Sequence, residues 1–130
     1  MDNYIFPCVL IYQTDGVAVY FPDLDGCVSF GENEQQAFLN AKEALALHLY
    51  GMEQDGDIIP VASTVKSIEL DENEQVVLVD TYMPTFRAKQ ASKFIKKTLT
   101  IPEWLNVAAE REGINFSQVL QGALKEKLMY

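Results

Sequence analysis

Asp23 and Asp25 flank Leu24 just before Gly26, and paired carboxylates at this spacing could hold a divalent cation or share general acid–base work. The same run, Pro22-Asp23-Leu24-Asp25-Gly26, also has turn chemistry, because Asp side chains accept hydrogen bonds from nearby backbone. The turn reading is favoured, since a nuclease-type metal site needs several carboxylates converging from different strands and a helix. Asp15, Glu43 and Asp80 are the other candidates, and they are scattered. His48 is the single histidine; it falls on an apolar helical stripe, as a partly buried, satisfied side chain would, with no Cys or Asp at metal-ligand spacing. There is no Gly-rich phosphate loop, no Ser nucleophile elbow and no Cys-x-x-Cys. The reading is therefore of no catalytic residue, no metal and no cofactor. Cys8 and Cys27 are expected as buried, reduced thiols.

A different chemistry resides near the C-terminus. In an alternating strand, Lys96, Thr98 and Thr100 share one polar face while Ile95, Lys97, Leu99 and Ile101 share the other. Taken alone, this is an ordinary edge strand with one solvated face. Helical spacing follows it from about Pro102 to Glu112, Gly113 breaks the pattern, and Asn115 is placed to cap a second helix with Gln118 three residues on. Val119, Leu120, Ala123, Leu124 and Leu128 make the apolar stripe of that helix.

The elements upstream form a separate pattern. Residues 4–12 and 17–21 read as strands around Asp15-Gly16, and residues 27–30 read as a third strand after the Pro22–Gly26 turn. Asn33 caps a helix whose apolar stripe runs through Ala37, Ala41, Ala44, Leu45 and His48, with Gly51 as its expected stop. The acidic stretch 69–74 predicts a turn, and residues 76–80 predict a strand that is apolar on both parities and hence central. The order is β-β-β-α-β over residues 1–82, an aperiodic linker over 83–92, and a β-α-α unit over 93–130: an α+β protein of two modules.

Composition agrees with a folded chain of 130 residues, 48% hydrophobic and 22% charged, and excludes collagen-like, disordered-tail and membrane-spanning classes. The start, Met1-Asp2-Asn3-Tyr4, lacks the basic region and apolar stretch of a signal peptide, so the expected location is the cytoplasm. The net charge of −9 is unevenly spread: residues 1–86 hold fifteen Asp and Glu against Lys42 and Lys66, a balance of −13, while residues 87–130 hold eight Lys and Arg against four Glu, a balance of +4. This reads either as an acidic solubilising surface or as two modules facing oppositely charged partners.

Residues Lys96–Leu105 and Glu112–Gln121 resemble the ribbon-helix-helix DNA-binding family in both the strand and the inter-helix turn. The run Tyr20–Cys27, with Gly31 and the Ala-rich helix after it, resembles the HicB antitoxin family; Asp25 stands where that family commonly has a second Pro, which loosens the turn but keeps Gly26. The resemblance implies a partial, catalytically silent RNase H-like N-terminal domain that binds and occludes a small basic HicA-like toxin, itself a messenger-RNA-cleaving protein. It also implies a C-terminal domain that binds operator DNA as a homodimer or higher even-numbered oligomer and represses its own operon. In such a dimer two strands pair and enter the major groove. Lys96, Thr98 and Thr100 would then read bases, the amides and side chains of Asn115, Phe116 and Ser117 would hold a phosphate, and Leu99, Ile101, Trp104, Leu120 and Leu124 would form the dimer core. No membrane partner is expected. Two other readings stay open: a ribbon-helix-helix repressor whose N-terminal domain senses a small molecule, and a residual nuclease.

Overall fold

A computed structural model describes residues 1–91 and 94–130; Ser92, at the end of the expected linker, and Lys93, at the start of the expected C-terminal module, lie outside the described residues. The chain divides into two compact units, residues 1–93 and 94–130.

In the first unit β1 (Asn3–Gln13), β2 (Gly16–Tyr20), β3 (Val28–Gly31) and β4 (Glu74–Tyr82) form one antiparallel sheet in the order β3-β2-β1-β4. The β1–β2 hairpin closes through Thr14 and Asp15, with Gln13 opposite Gly16. Turn 22–26 closes on itself: the Leu24 amide donates to the Phe21 carbonyl at 3.0 Å and the Cys27 amide to the Leu24 carbonyl at 3.1 Å. Gly26 supplies the positive φ of 82° that this turn requires.

Helix α1 (Glu34–Asp55) lies on the sheet face made by Phe6, Cys8, Leu10, Val17, Val19 and Val79. Its buried stripe is Ala37, Ala41, Leu45 and Leu49, one residue per turn. Asn33 caps it as its sequence spacing predicts, its Oδ1 accepting from the Gln36 amide at 2.9 Å, while Gln36 Oε1 accepts from the Glu32 amide at 2.6 Å. Small residues permit the close approach: a Cβ on Gly31 would stand 2.2 Å from the Ala37 backbone nitrogen. Both cysteines are free and buried as expected. Burial, aided by the neighbouring Cys27, pushes the Cys8 thiol up to about 12, and burial pushes Cys27 up to about 11, so both are poor nucleophiles.

Three elements of the first unit differ from the sequence expectations, and in the second unit the strand expected over 95–101 is not formed. Helix α1 continues through Gly51 to a cap at Gly56, whose φ is 72° and whose amide donates to the Glu53 carbonyl; tertiary burial of Leu45 and Leu49 outweighs the weak helix propensity of Gly51. Strand β4 is an edge strand rather than a central one. The central place belongs to β1, whose eleven residues are long enough to pair with β2 on one side and β4 on the other. Apolarity on both parities of β4 therefore does not mean two covered faces, and Leu78 is exposed. On this edge Lys42 reaches Asp80 at 3.3 Å, a charged pair of the kind that discourages edge-to-edge pairing.

The third difference is the expected linker. Met83–Ala91 is a helix, α2, docked on the first unit. Met83 is fully buried, its amide donates to the Asp2 carbonyl at 2.7 Å, and the Phe86 ring meets Tyr50 edge-on at 5.7 Å. Arg87 joins three segments: Nε donates to Glu53 Oε1 at 3.1 Å and Nη2 to Glu53 Oε2, Nη1 donates to Asp2 at 3.0 Å, and Nη2 also donates to the Met1 carbonyl at 2.9 Å. The contacts are long-range in sequence, which is why local periodicity did not reveal the helix. This moves Arg87, Lys89 and Lys93 to the first unit, so the balance becomes −10 over residues 1–93 (fifteen acids, five bases) and +1 over 94–130 (four acids, five bases).

The second unit holds α3 (Glu103–Arg111) and α4 (Phe116–Leu128). Gly113, at φ 68°, turns the chain between them, and Asn115 Oδ1 caps α4 by accepting from the Gln118 amide at 3.1 Å. Neither helix has a buried residue.

Gly31→Ala is expected to cost about 1–3 kcal/mol, because its Cβ meets backbone that cannot yield, whereas Gly51→Ala, with open space around it, is expected to stabilise by about 0.5–1 kcal/mol; urea unfolding measures both. Arg87 holds the Glu53 carboxyl below its ordinary value of 4.5, so on acidification the unfolded chain takes up this proton first. The contribution is fully present above that ordinary value and is lost as pH falls through the lower folded-state value. Glu53→Gln is therefore expected to destabilise the protein by about 1 kcal/mol at neutral pH, with the difference shrinking as pH falls below the ordinary carboxylate value and through the lower folded-state one, read from urea midpoints across pH.

Candidate functional site

The Asp23 carboxylate is engaged by Ser63. Asp23 accepts from the Ser63 hydroxyl at 2.5 Å and from the Ser63 amide at 2.9 Å. It thus ties turn 22–26 to the segment after α1, rather than bonding its own turn as the local reading predicts. Asp23, Asp25, His48, Asp55 and Asp57 border an open cleft of about 540 Å³, with His48 half-buried as its helical position implies. Among the described residues no group of three or more His, Cys, Asp or Glu side chains is placed to hold a metal ion. Asp80 is engaged by Lys42, on a different part of the sheet from turn 22–26.

A second cleft, of about 610 Å³, is largely apolar. Leu10, Tyr12, Val76 and Val77 come from β1 and β4, and Phe38 and Leu39 come from α1. Leu39 is 64% exposed. Glu34 stands on its rim, accepting a 2.5 Å hydrogen bond from the Tyr12 hydroxyl. That bond, with burial and the Glu34 charge, raises the Tyr12 phenol above its ordinary value. The sequence reading missed this cleft; its signal is that Phe38 and Leu39 lie off the Ala37–Ala41–Leu45 stripe, giving α1 a second apolar face.

In the second unit Lys96, Thr98 and Thr100 are all exposed. Residues 94–102 form no hydrogen-bonded strand, as a lone segment has no neighbour to pair with inside its own unit. The residues of the expected dimer core are open in the single chain: Trp104 is 71% exposed, Leu99 59%, Leu124 51% and Ile101 45%, with Leu120 partly covered. Asn115 spends its side chain on the α4 cap, while Phe116 and Ser117 begin the helix, where backbone amides lack intrahelical acceptors. The expected base-reading and phosphate-holding groups are thus all at the surface, on the segment before α3 and at the start of α4.

Comparison with known proteins adds an independent line. A family described as the HicB-like antitoxin of bacterial toxin-antitoxin systems matches residues 6–122. An uncharacterised 14.9 kDa protein of Haemophilus phage HP1 is 29% identical over 101 residues, 78% of this chain and 75% of its own length. Among solved structures, the crystal structure of antitoxin HicB3 is similar with a TM-score of 0.53 at 28% identity, over 95% of this chain and 97% of that one. A chain of the HicA3 and HicB3 toxin-antitoxin complex is similar over 58% of this chain and 95% of its own, with a TM-score of 0.51 at 27% identity. A chain of a toxin-antitoxin complex from Streptococcus pneumoniae shares the fold, with a TM-score of 0.61 at 24% identity over 96% of this chain and 99% of that one. Among the described residues no helix is long and apolar enough to cross a membrane.

Proposed function

The chain belongs to the HicB-like antitoxin family of bacterial toxin-antitoxin systems, and from that premise we propose that it neutralises a HicA-like toxin with its first unit and represses its own operon by binding operator DNA as a dimer with its second. Neutralisation is by occlusion: the first unit, read as a partial RNase H-like fold, has no convergent carboxylate set among its described residues, and on this reading it acts by covering the toxin. The solved HicA3 and HicB3 complex, whose similar chain corresponds to 58% of this one, supports a toxin partner. The balance of −10 over residues 1–93 repels nucleic acid and steers a basic ribonuclease toward this unit.

The observation that carries the DNA-binding half is the absence of any buried side chain in α3 and α4. A 37-residue unit that leaves Leu99, Ile101, Trp104 and Leu124 open cannot fold stably alone. Pairing segment 95–101 with its copy would supply both the missing strand partner and the missing core. That pairing sets Lys96, Thr98 and Thr100 side by side on a two-stranded ribbon, the form in which strands read a major groove. With a balance of only +1 in this unit, affinity rests on those placed contacts and on the α4 amides more than on bulk charge.

The test is the full-length Lys96→Ala/Thr98→Ala/Thr100→Ala variant. It is expected to lose operator affinity by at least about 100-fold while remaining an oligomer and still rescuing growth when the toxin is expressed. Undiminished operator binding would exclude ribbon readout, and loss of rescue would exclude the separation of roles between the units.

A further inference from the structure

The two edges of the sheet are finished differently. Hydrogen bonding alternates along an antiparallel strand, and two bonds fix how it alternates on β4: the Met83 amide donates to the Asp2 carbonyl and the Tyr12 amide to the Asn73 carbonyl. In this register the odd-numbered residues of β4 bond to β1, so Val76, Leu78 and Asp80 turn their N–H and C=O groups outward. Among the described residues no hydrogen bond reaches these three donors and three acceptors. The Glu74 amide, next in the row, is closed by the Asp71 carbonyl at 3.1 Å.

The opposite edge is short and capped. On the four residues of β3 the same alternation turns Val28 and Phe30 outward. The Phe30 carbonyl accepts from the Asn40 side-chain amide at 2.8 Å, and Gln36 Oε1 takes the Glu32 amide just past the strand. By contrast β4 is nine residues long without a Pro, and its guard is the Lys42–Asp80 pair, whose side chains are each about half exposed. Leu78 and Tyr82, on the sheet face away from α1, are 56% and 58% exposed. A long apolar edge left open in this way is a template for another strand.

The free groups define the occupant as an extended backbone, since a strand repeats its donors and acceptors at this spacing. Charge defines its sign. Glu74 and Asp80 lie on β4 itself, and the balance of −10 in this unit repels a second copy while it attracts a basic chain. We propose that β4 receives an extended segment of the basic protein partner as a fifth strand of the sheet, with an apolar side chain against Leu78 and a Lys or Arg beside Asp80. The inference rests on the toxin-binding reading above and gives it an address and a binding mode. Main-chain bonds hold the segment, and side-chain pairs across the two strands select it. The solvent-exposed Lys42–Asp80 pair is weak enough to be exchanged.

The test uses the full-length protein and, as probe, an inactive variant of the HicA-like toxin from the same operon. Amide hydrogen exchange is followed residue by residue by NMR, and affinity by surface plasmon resonance. In the free chain the Val76, Leu78 and Asp80 amides are expected to exchange fast and those of Val77 and Val79 slowly; in the complex the first three are expected to slow by about tenfold or more. Leu78→Pro removes an outward donor and no bond to β1, at a place where an edge strand accepts Pro, and is expected to weaken binding by about 30-fold or more while urea unfolding shows the fold intact. Asp80→Lys is expected to slow association about threefold at low salt, with the difference vanishing at high salt. A complex in which the three amides exchange as fast as in the free chain, or a folded Leu78→Pro variant that binds like wild type, overturns the edge assignment alone. Protection of the same amides in the free chain as its concentration rises gives the edge to a second copy and overturns it too. Failure of the wild-type chain to bind the probe overturns the toxin-binding reading, and this inference with it.

Discussion

The structure turns on an asymmetry of burial. Residues 1–91 close an apolar core between one helix and one sheet face, with Phe6, Cys8, Leu45, Leu49, Val79 and Met83 out of contact with water. Residues 94–130 have two well-formed helices and no buried side chain in either. Hydrophobic burial is the main term opposing chain entropy, so the first unit carries its own stability and the second must obtain it from outside the single chain. A division of labour follows physically. On the proposed reading, a self-sufficient unit can offer a rigid surface to a protein partner, while a unit that folds only by pairing would make DNA binding depend on its own assembly.

Within the first unit the helix–sheet contact is made close by small residues, and closeness has consequences at both ends of α1. At its start Gly31 and the Ala37–Ala41 stripe bring the helix onto β3 and β2, so that Phe38 and Leu39 turn toward β4 and leave an apolar cleft there. At its end Tyr50 and Glu53 receive α2 through Phe86 and Arg87. The guanidinium gathers Glu53, Asp2 and the Met1 carbonyl. This three-way junction anchors the chain start and α2 to the same helix, and it is held by charge rather than by local propensity.

Much of this was legible in the sequence where local chemistry decides. Asn33 and Asn115 with their Gln partners, the Asp15-Gly16 hairpin, the Gly26 turn and the Gly113 break are all local signals, and each stands where its residue type requires. The HicB-like family was legible in the Tyr20–Cys27 run, with Gly31 and the Ala-rich helix after it. What was not legible depends on distant partners. Whether β4 is central or at an edge depends on what pairs with β1. Whether residues 83–91 are linker or helix depends on Tyr50, Glu53 and Asp2. Asp23 likewise finds Ser63 forty residues away, which no turn rule anticipates. The charge contrast also changed meaning: much of the apparent basicity of the C-terminal region comes from Arg87, Lys89 and Lys93, which belong to the first unit.

The central claim is that residues 94–130 take their core from a second copy of the chain. Sedimentation equilibrium of the full-length protein at micromolar concentration tests it most directly, against a chain mass of 14.6 kDa. The account predicts a dimer or a higher even-numbered species, dissociating when Leu99 and Trp104 are both replaced by Asp. A folded, stable monomer at that concentration would contradict it.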